Sequence, residues 1–165
     1  TENIIHPKGV FIIDSPVDLL GLYEISKRNI ERNFSDVSIQ ESKNTVNRFD
    51  ASLGKPEAGI DNYESYAPYT HKTNNIENLA HLNNIKIRLY TEPDIQWWQE
   101  NRQNKWEDMN AFFIKHLSDE LIKKFGNQVE YIATKNRGYR ANGQRHPHSW
   151  VIVEVENLLQ WVLAE

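Results

Sequence analysis

Apolar residues along the chain fall into short, nearly continuous runs separated by longer stretches at helical spacing. Val10-Phe11-Ile12-Ile13 is such a run, and it ends at once in Asp14-Ser15-Pro16-Val17-Asp18, the pattern of a strand buried on both faces that feeds a helix. In that turn Ser15 is the expected N-cap, with Pro16 at the first helical position and Asp18 at the third, where its carboxylate can meet the free amides of the first turn. Val17, Leu20, Tyr23 or Leu22, Ile25 and Ile30 keep roughly helical spacing and carry this helix to about Asn33. A second polar, amphipathic helix is expected from Ser35 or Asp36 through Leu53, stopped by Gly54.

Gly54, Pro56, Gly59 and Pro68, interleaved with Tyr63, Tyr66 and Tyr69, predict an irregular but packed connection over 54–75, followed by a short helical stretch at about 76–82. Ile85-Lys86-Ile87-Arg88-Leu89-Tyr90 alternates and runs into Thr91-Glu92-Pro93-Asp94, a strand entering a loop. Met109, Phe112, Phe113, Leu117, Leu121 and Phe125 form one face of a long helix closed by Gly126. Gln128 to Thr134 reads as a third strand and Lys135 to Pro147 as a polar loop. Val155, Leu158, Leu159, Val162 and Leu163 then make the inner face of a closing helix. Strands alternating with helices predict an α/β fold with a parallel sheet. The helical stretch between the first two strands exceeds what a crossover needs. Residues 17 to 75 therefore read as a cap over the carboxyl ends of the strands, where open α/β sheets place their sites.

Composition narrows the chemistry. At 165 residues and 39% hydrophobic, the chain can bury the core of one domain. A net charge of −4 lacks the basic excess that supports nucleic-acid binding, so no nucleic-acid partner is expected. No apolar run approaches the ~18 residues of a spanning helix, and Thr1-Glu2-Asn3-Ile4-Ile5-His6-Pro7 is no signal peptide, so the chain is expected to be soluble, without a membrane partner. The absence of cysteine removes disulfides, thiol nucleophiles and Cys-ligated metals, leaving oxygen and imidazole chemistry, and no cofactor is called for.

Residues just past each strand's carboxyl end carry the candidate chemistry: Asp14 and Ser15, then Glu92 and Asp94, then the loop with His146 and His148. An acid and a histidine on neighbouring strand ends are what a hydrolytic triad needs, because a buried carboxylate fixes the imidazole tautomer and stabilises the imidazolium. The apolar strand into Asp-Ser-Pro-Val-Asp-Leu, the helical cap, Arg-Leu-Tyr-Thr-Glu-Pro-Asp and Arg-His-Pro-His-Ser-Trp before a last helix together resemble the C-terminal portion of an α/β-hydrolase of the serine esterase type. The resemblance covers essentially the whole chain. It implies a partial hydrolase-like sheet of about three parallel strands with flanking helices, in a single domain over 1–165 with the cap insertion at about 17–75.

In that family the chain order is nucleophile, acid, histidine, so the resemblance casts Asp94 as the acid and His148 as the general base, with an ester or acylated sugar as substrate. No Gly-x-Ser-x-Gly occurs in the sequence. The elbow and the oxyanion loop would precede the strand at 10–14, so this polypeptide alone is expected to have no esterase activity. The strand that would pair with Val10–Asp14 is also missing, which predicts a homodimer or a missing N-terminal half docked at that edge. The alternative is a hydrolase-like module that binds a partner without catalysis. Contact between the Asp94 carboxylate and the His148 ring separates the two.

Each residue has a plainer role beside the chemical one. Asp94 suits a helix N-cap, and His148 a loop histidine bonded to backbone. His146 rivals His148, and the two could be read as a metal pair, although no further ligand stands at recognisable spacing. Ser15 is better explained as a cap than as a displaced nucleophile. Trp97 and Trp98 either wall a substrate pocket or pack beneath the cap. Lys135, Arg137, Arg140 and Arg145 crowd one loop and could attract an anion or remain solvated, whereas His116 reads as half-buried structure.

Overall fold

A computed structural model describes residues 7–164. Thr1 to His6, which contain most of the segment read as no signal peptide, lie outside the described residues, as does Glu165. Three strands, β1 (Gly9–Ile13), β2 (Lys86–Thr91) and β3 (Val129–Ala133), form one sheet in the order β1-β2-β3. All pairings are parallel, with Ile12 opposite Leu89 and Leu89 opposite Tyr131. The chain is thus an α/β protein with the three parallel strands its pattern predicts. No helix among the described residues is long and apolar enough to cross a membrane.

β2 is the central strand, and Ile87, Leu89, Tyr90 and Thr91 are all buried. β1 is not buried on both faces, contrary to the reading of its apolar run. Val10 and Ile12 pack on one core cluster and Ile13 on another, but Phe11 is 46% exposed because the strand lies at the sheet's edge. On one face α5 (Asn110–Phe125) presents Ile114, Leu117 and Leu121, all fully buried, to Ile87, Leu89 and Val129. Their three- and four-residue spacing keeps them on one stripe. Gly126, at φ 62°, ends the helix.

The opposite face is covered by α6 (Val155–Leu163), where Leu158 packs on the cluster of Tyr90, Ile152 and Val153 and polar contacts add to it. Arg88 of the central strand pairs with Glu130 at 2.6 Å, bonds Asn157 at 3.0 Å and lies 4.7 Å from the Trp161 ring centroid. Lys86 Nζ donates to the carbonyls of Trp161 and Ala164, both at 2.6 Å, answering unpaired acceptors at the end of α6. The indole sits so near β1 that a Cβ at Gly9 would come within 2.9 Å of it.

α1 (Leu19–Arg32) starts later than the sequence pattern predicts. Its N-cap is Asp18, whose Oδ1 accepts from Gly21 N–H at 2.8 Å, while Ser15 Oγ turns back to the Ile13 carbonyl. The Val17 carbonyl accepts from Tyr69 N–H at 3.1 Å, and α1 begins only beyond that tie, leaving Ser15 and Pro16 outside the helix. α2 (Asp36–Ser52) is capped by Ser35 and stops before Gly54, as its pattern requires. α1, α2 and α3 (Asp61–Tyr66) enclose a small core of Leu20, Tyr23 and Tyr63, with Val46, Phe49 and Leu53 against it. Arg28 and Arg32 of α1 grip Asp108, just before α5, at 2.8 and 2.7 Å. Burial raises the pKa of Asp108, but the two guanidiniums and the Lys105 amide outweigh it and hold the carboxyl below its usual range.

Candidate functional site

The chain leaves β1 through Asp14, whose φ of 40° lies in a region that non-glycine residues rarely occupy. Two bonds hold it there. Its N–H donates to the Tyr90 carbonyl at 2.9 Å, extending the ladder to β2, and its carbonyl accepts from Asn110 Nδ2 at 2.7 Å. The carboxylate is thereby fixed in a residue only 5% exposed, and its Oδ2 stands 2.7 Å from His148 Nδ1.

His148 reaches that position through the loop after β3, which is tied to the central strand's end and not only to its own. Glu92, directly after β2, accepts from the Arg137 and Gly138 amides, from Thr134 Oγ1 at 2.9 Å and from Arg145 Nη2 at 2.5 Å. Burial opposes ionisation of Glu92, but those donors prevail and its carboxyl lies below the usual range. Arg145 also donates to Asp94 Oδ2 at 2.8 Å and to the Gly138 carbonyl at 2.7 Å. His146 N–H donates to the same carbonyl at 2.8 Å, so the loop folds back on itself. A Cβ at Gly138 would come 2.5 Å from the His146 carbonyl and 2.7 Å from Pro147 Cα, so backbone crosses backbone there.

The acid that meets His148 is therefore Asp14, and the contact expected from Asp94 does not form. Asp94 caps α4 (Ile95–Arg102), accepting from Trp97 N–H at 3.1 Å, and gives its other oxygen to Arg145. Its second ligand is a cation from the same loop that delivers His148, which ends beside the carboxyl end of β1. Trp97 and Trp98, both half-buried, stack edge to face 5.3 Å apart. Trp98 lies 6.1 Å from the His148 ring and Trp97 5.9 Å from His146.

The hydrogen bond from Asp14 raises the pKa of His148 above the ordinary histidine value, with burial working against it. Burial pushes His146 the other way, towards the neutral form. With Nδ1–H committed to the carboxylate, Nε2 of neutral His148 carries the lone pair and can take a proton. An open cavity of about 580 Å³, lined by Asp14, Ser15, Arg140, His146, His148 and Trp150 among others, adjoins the ring. A narrower crevice of about 160 Å³ adjoins it as well, between α4 and the α1–α2 hairpin. A third cavity, lined by Glu92, Asp94, Lys135 and Arg145 among others, excludes His148.

Ser15 borders the larger cavity, but its hydroxyl bonds the Ile13 carbonyl. No side-chain hydroxyl among the described residues hydrogen-bonds His148. The basic loop residues do not act as one patch: Arg145 is internal to the clamp, Arg137 pairs with Glu154 at 3.5 Å, and Arg140 borders the larger cavity. No group of three or more His, Asp or Glu among the described residues is arranged to hold a metal ion. The sequence places Asp14 at a strand end, but nothing local marks it over Asp94 as the partner of His148, nor marks Glu92 and Arg145 as anchors. An acid closing an apolar run was the available signal for Asp14. No protein-family model, curated protein or solved structure matches this chain.

Proposed function

We propose that His148 and Asp14 form the acid–base half of a serine-dependent ester hydrolase. The Asp94–His148 contact expected to separate catalysis from mere binding does not form, and what carries this reading in its place is the 2.7 Å contact between the buried Asp14 carboxylate and an imidazole whose other nitrogen is left to accept a proton. In this scheme a hydroxyl nucleophile, supplied by a segment outside the described residues, approaches Nε2. His148 takes its proton as the oxygen attacks the ester carbonyl, and Asp14 stabilises the imidazolium. The imidazolium then protonates the departing alcohol, and a water activated in the same way releases the acid. The substrate is a small ester or an acylated sugar. The edge of β1 is where a segment bearing the nucleophile, or a second copy of this chain, would pair.

The test is hydrolysis of p-nitrophenyl acetate by this chain and by the same chain extended with the coding sequence that precedes Thr1. The chain alone should give no turnover above buffer. In the extended protein Asp14→Asn should lower kcat by roughly 10⁴-fold and His148→Gln by roughly 10⁶-fold, with Asp94→Asn within a few-fold of the parent. Turnover that survives His148→Gln, or that depends on Asp94 and not Asp14, overturns the reading.

A further inference from the structure

The narrow crevice beside His148 is walled by Asn29 of α1, Ser38 and Glu41 of α2, Trp97, Trp98 and Arg102 of α4, and by Asn104 and His146. Asn104 is engaged by Arg32 and the Asp108 carbonyl and His148 by Asp14, but four of the crevice's polar side chains are largely unspent. Among the described residues Glu41 and Arg102 make no ion pair, the Ser38 hydroxyl makes no hydrogen bond, and Asn29 commits only Oδ1, to Arg32 at 2.8 Å. Two half-buried indoles supply apolar surface in the same space.

This combination selects among ligand classes. An anion would face Glu41 and a cation Arg102, so neither fits a crevice that carries fixed charges of both signs. A purely hydrocarbon group would strip water from four polar side chains and return nothing to them. A neutral ring carrying several hydroxyls meets every requirement: its hydroxyls accept from Asn29 and Arg102, donate to Glu41 and do either with Ser38, while its C–H faces lie against indole. At about 160 Å³ the space is far smaller than the 580 Å³ cavity that also borders His148.

We infer that this crevice is a binding subsite for one neutral pyranose-like ring, the alcohol portion of the ester, with Trp98, Glu41 and Arg102 as its recognition residues. Its link to catalysis rests on the acyl-transfer reading; binding of the ring does not.

The experiment is titration of the chain with methyl glucopyranoside, methyl xylopyranoside and methyl galactopyranoside, followed by the indole N–H resonances, with benzyl alcohol as the apolar ring of similar size. At least one glycoside should shift the Trp97 and Trp98 resonances saturably and more tightly than benzyl alcohol. Trp98→Ala and the exposed Glu41→Ala should each weaken that binding at least five-fold. The inference is overturned if no glycoside saturates, if benzyl alcohol binds more tightly, or if both substitutions leave the affinity unchanged. Glycoside binding alongside a failed ester assay removes only the acyl-transfer reading, and His148-dependent turnover without glycoside binding removes only this one.

Discussion

Asp14 and His148, 134 positions apart in the chain, meet through a 2.7 Å bond between Oδ2 and Nδ1. That bond raises the pKa of His148, so the folded state holds the imidazolium more tightly than the unfolded chain does. The stabilisation is full below the ordinary histidine value of about 6.5 and is lost as pH rises through the folded value. Asp14→Asn keeps an acceptor but removes the charge. Its His148 midpoint, followed by NMR of the ring carbons, should fall below that of the parent, and an unchanged midpoint would count against the contact.

Arg145 joins two carboxylates from the end of β2 to the loop bearing His148. Arg145→Met should cost about 2 kcal/mol in urea denaturation, because the nearly buried Glu92 loses a charged donor. Asp94→Asn should cost under about 1 kcal/mol, since asparagine caps a helix nearly as well as aspartate. The reverse order would mean that Asp94, not Glu92, is the anchor.

Gly138 has little room for a methyl group because the atoms facing it are backbone. Gly138→Ala should lower stability by about 1–3 kcal/mol and pull the His146–His148 segment away from β1. The same NMR titration reads the second effect: the His148 midpoint should fall in this variant although Asp14 is intact.

His71 and His116 face each other with ring centroids 4.6 Å apart, and Phe112 lies 4.9 and 4.5 Å from them. Burial, then repulsion from His71, lowers the pKa of His116, with Lys115 adding to the effect and Asp119 and Glu120 opposing it. A depressed histidine favours the neutral folded form, so its contribution is present above about pH 6.5 and is lost as pH falls through the folded value. His148 has the opposite sign. Urea midpoints of His116→Phe should therefore decline less than those of the parent between about pH 7 and 5, and parallel curves would refute the assignment.

The order of elements was legible because the patterns that mark them are local. Ile114, Leu117 and Leu121 repeat at helical spacing, Ser35 caps α2 by itself, and Gly54 and Gly126 stop helices through their own φ. The start of α1 was not, because Tyr69, more than fifty residues away, holds the Val17 carbonyl in an extended segment. The partner of His148 was hidden for a related reason. Choosing Asp14 over Asp94 depends on how far the loop after β3 reaches across the sheet, and Glu92 sets that reach through contacts 42 to 53 residues apart in sequence, which no local pattern records.

The clamp of Glu92, Arg145 and the Gly138 carbonyl closes the loop before its tip. Residues 140–144, with Gly143 at φ 80°, project beyond the closure and are exposed. The histidine's place is thus set by the neck of a hairpin, and the length of its head is free to vary. A short epitope grafted between Asn142 and Gly143 should leave the neck closed, which makes this tip the natural handle for labelling or immobilising the protein with its dyad intact.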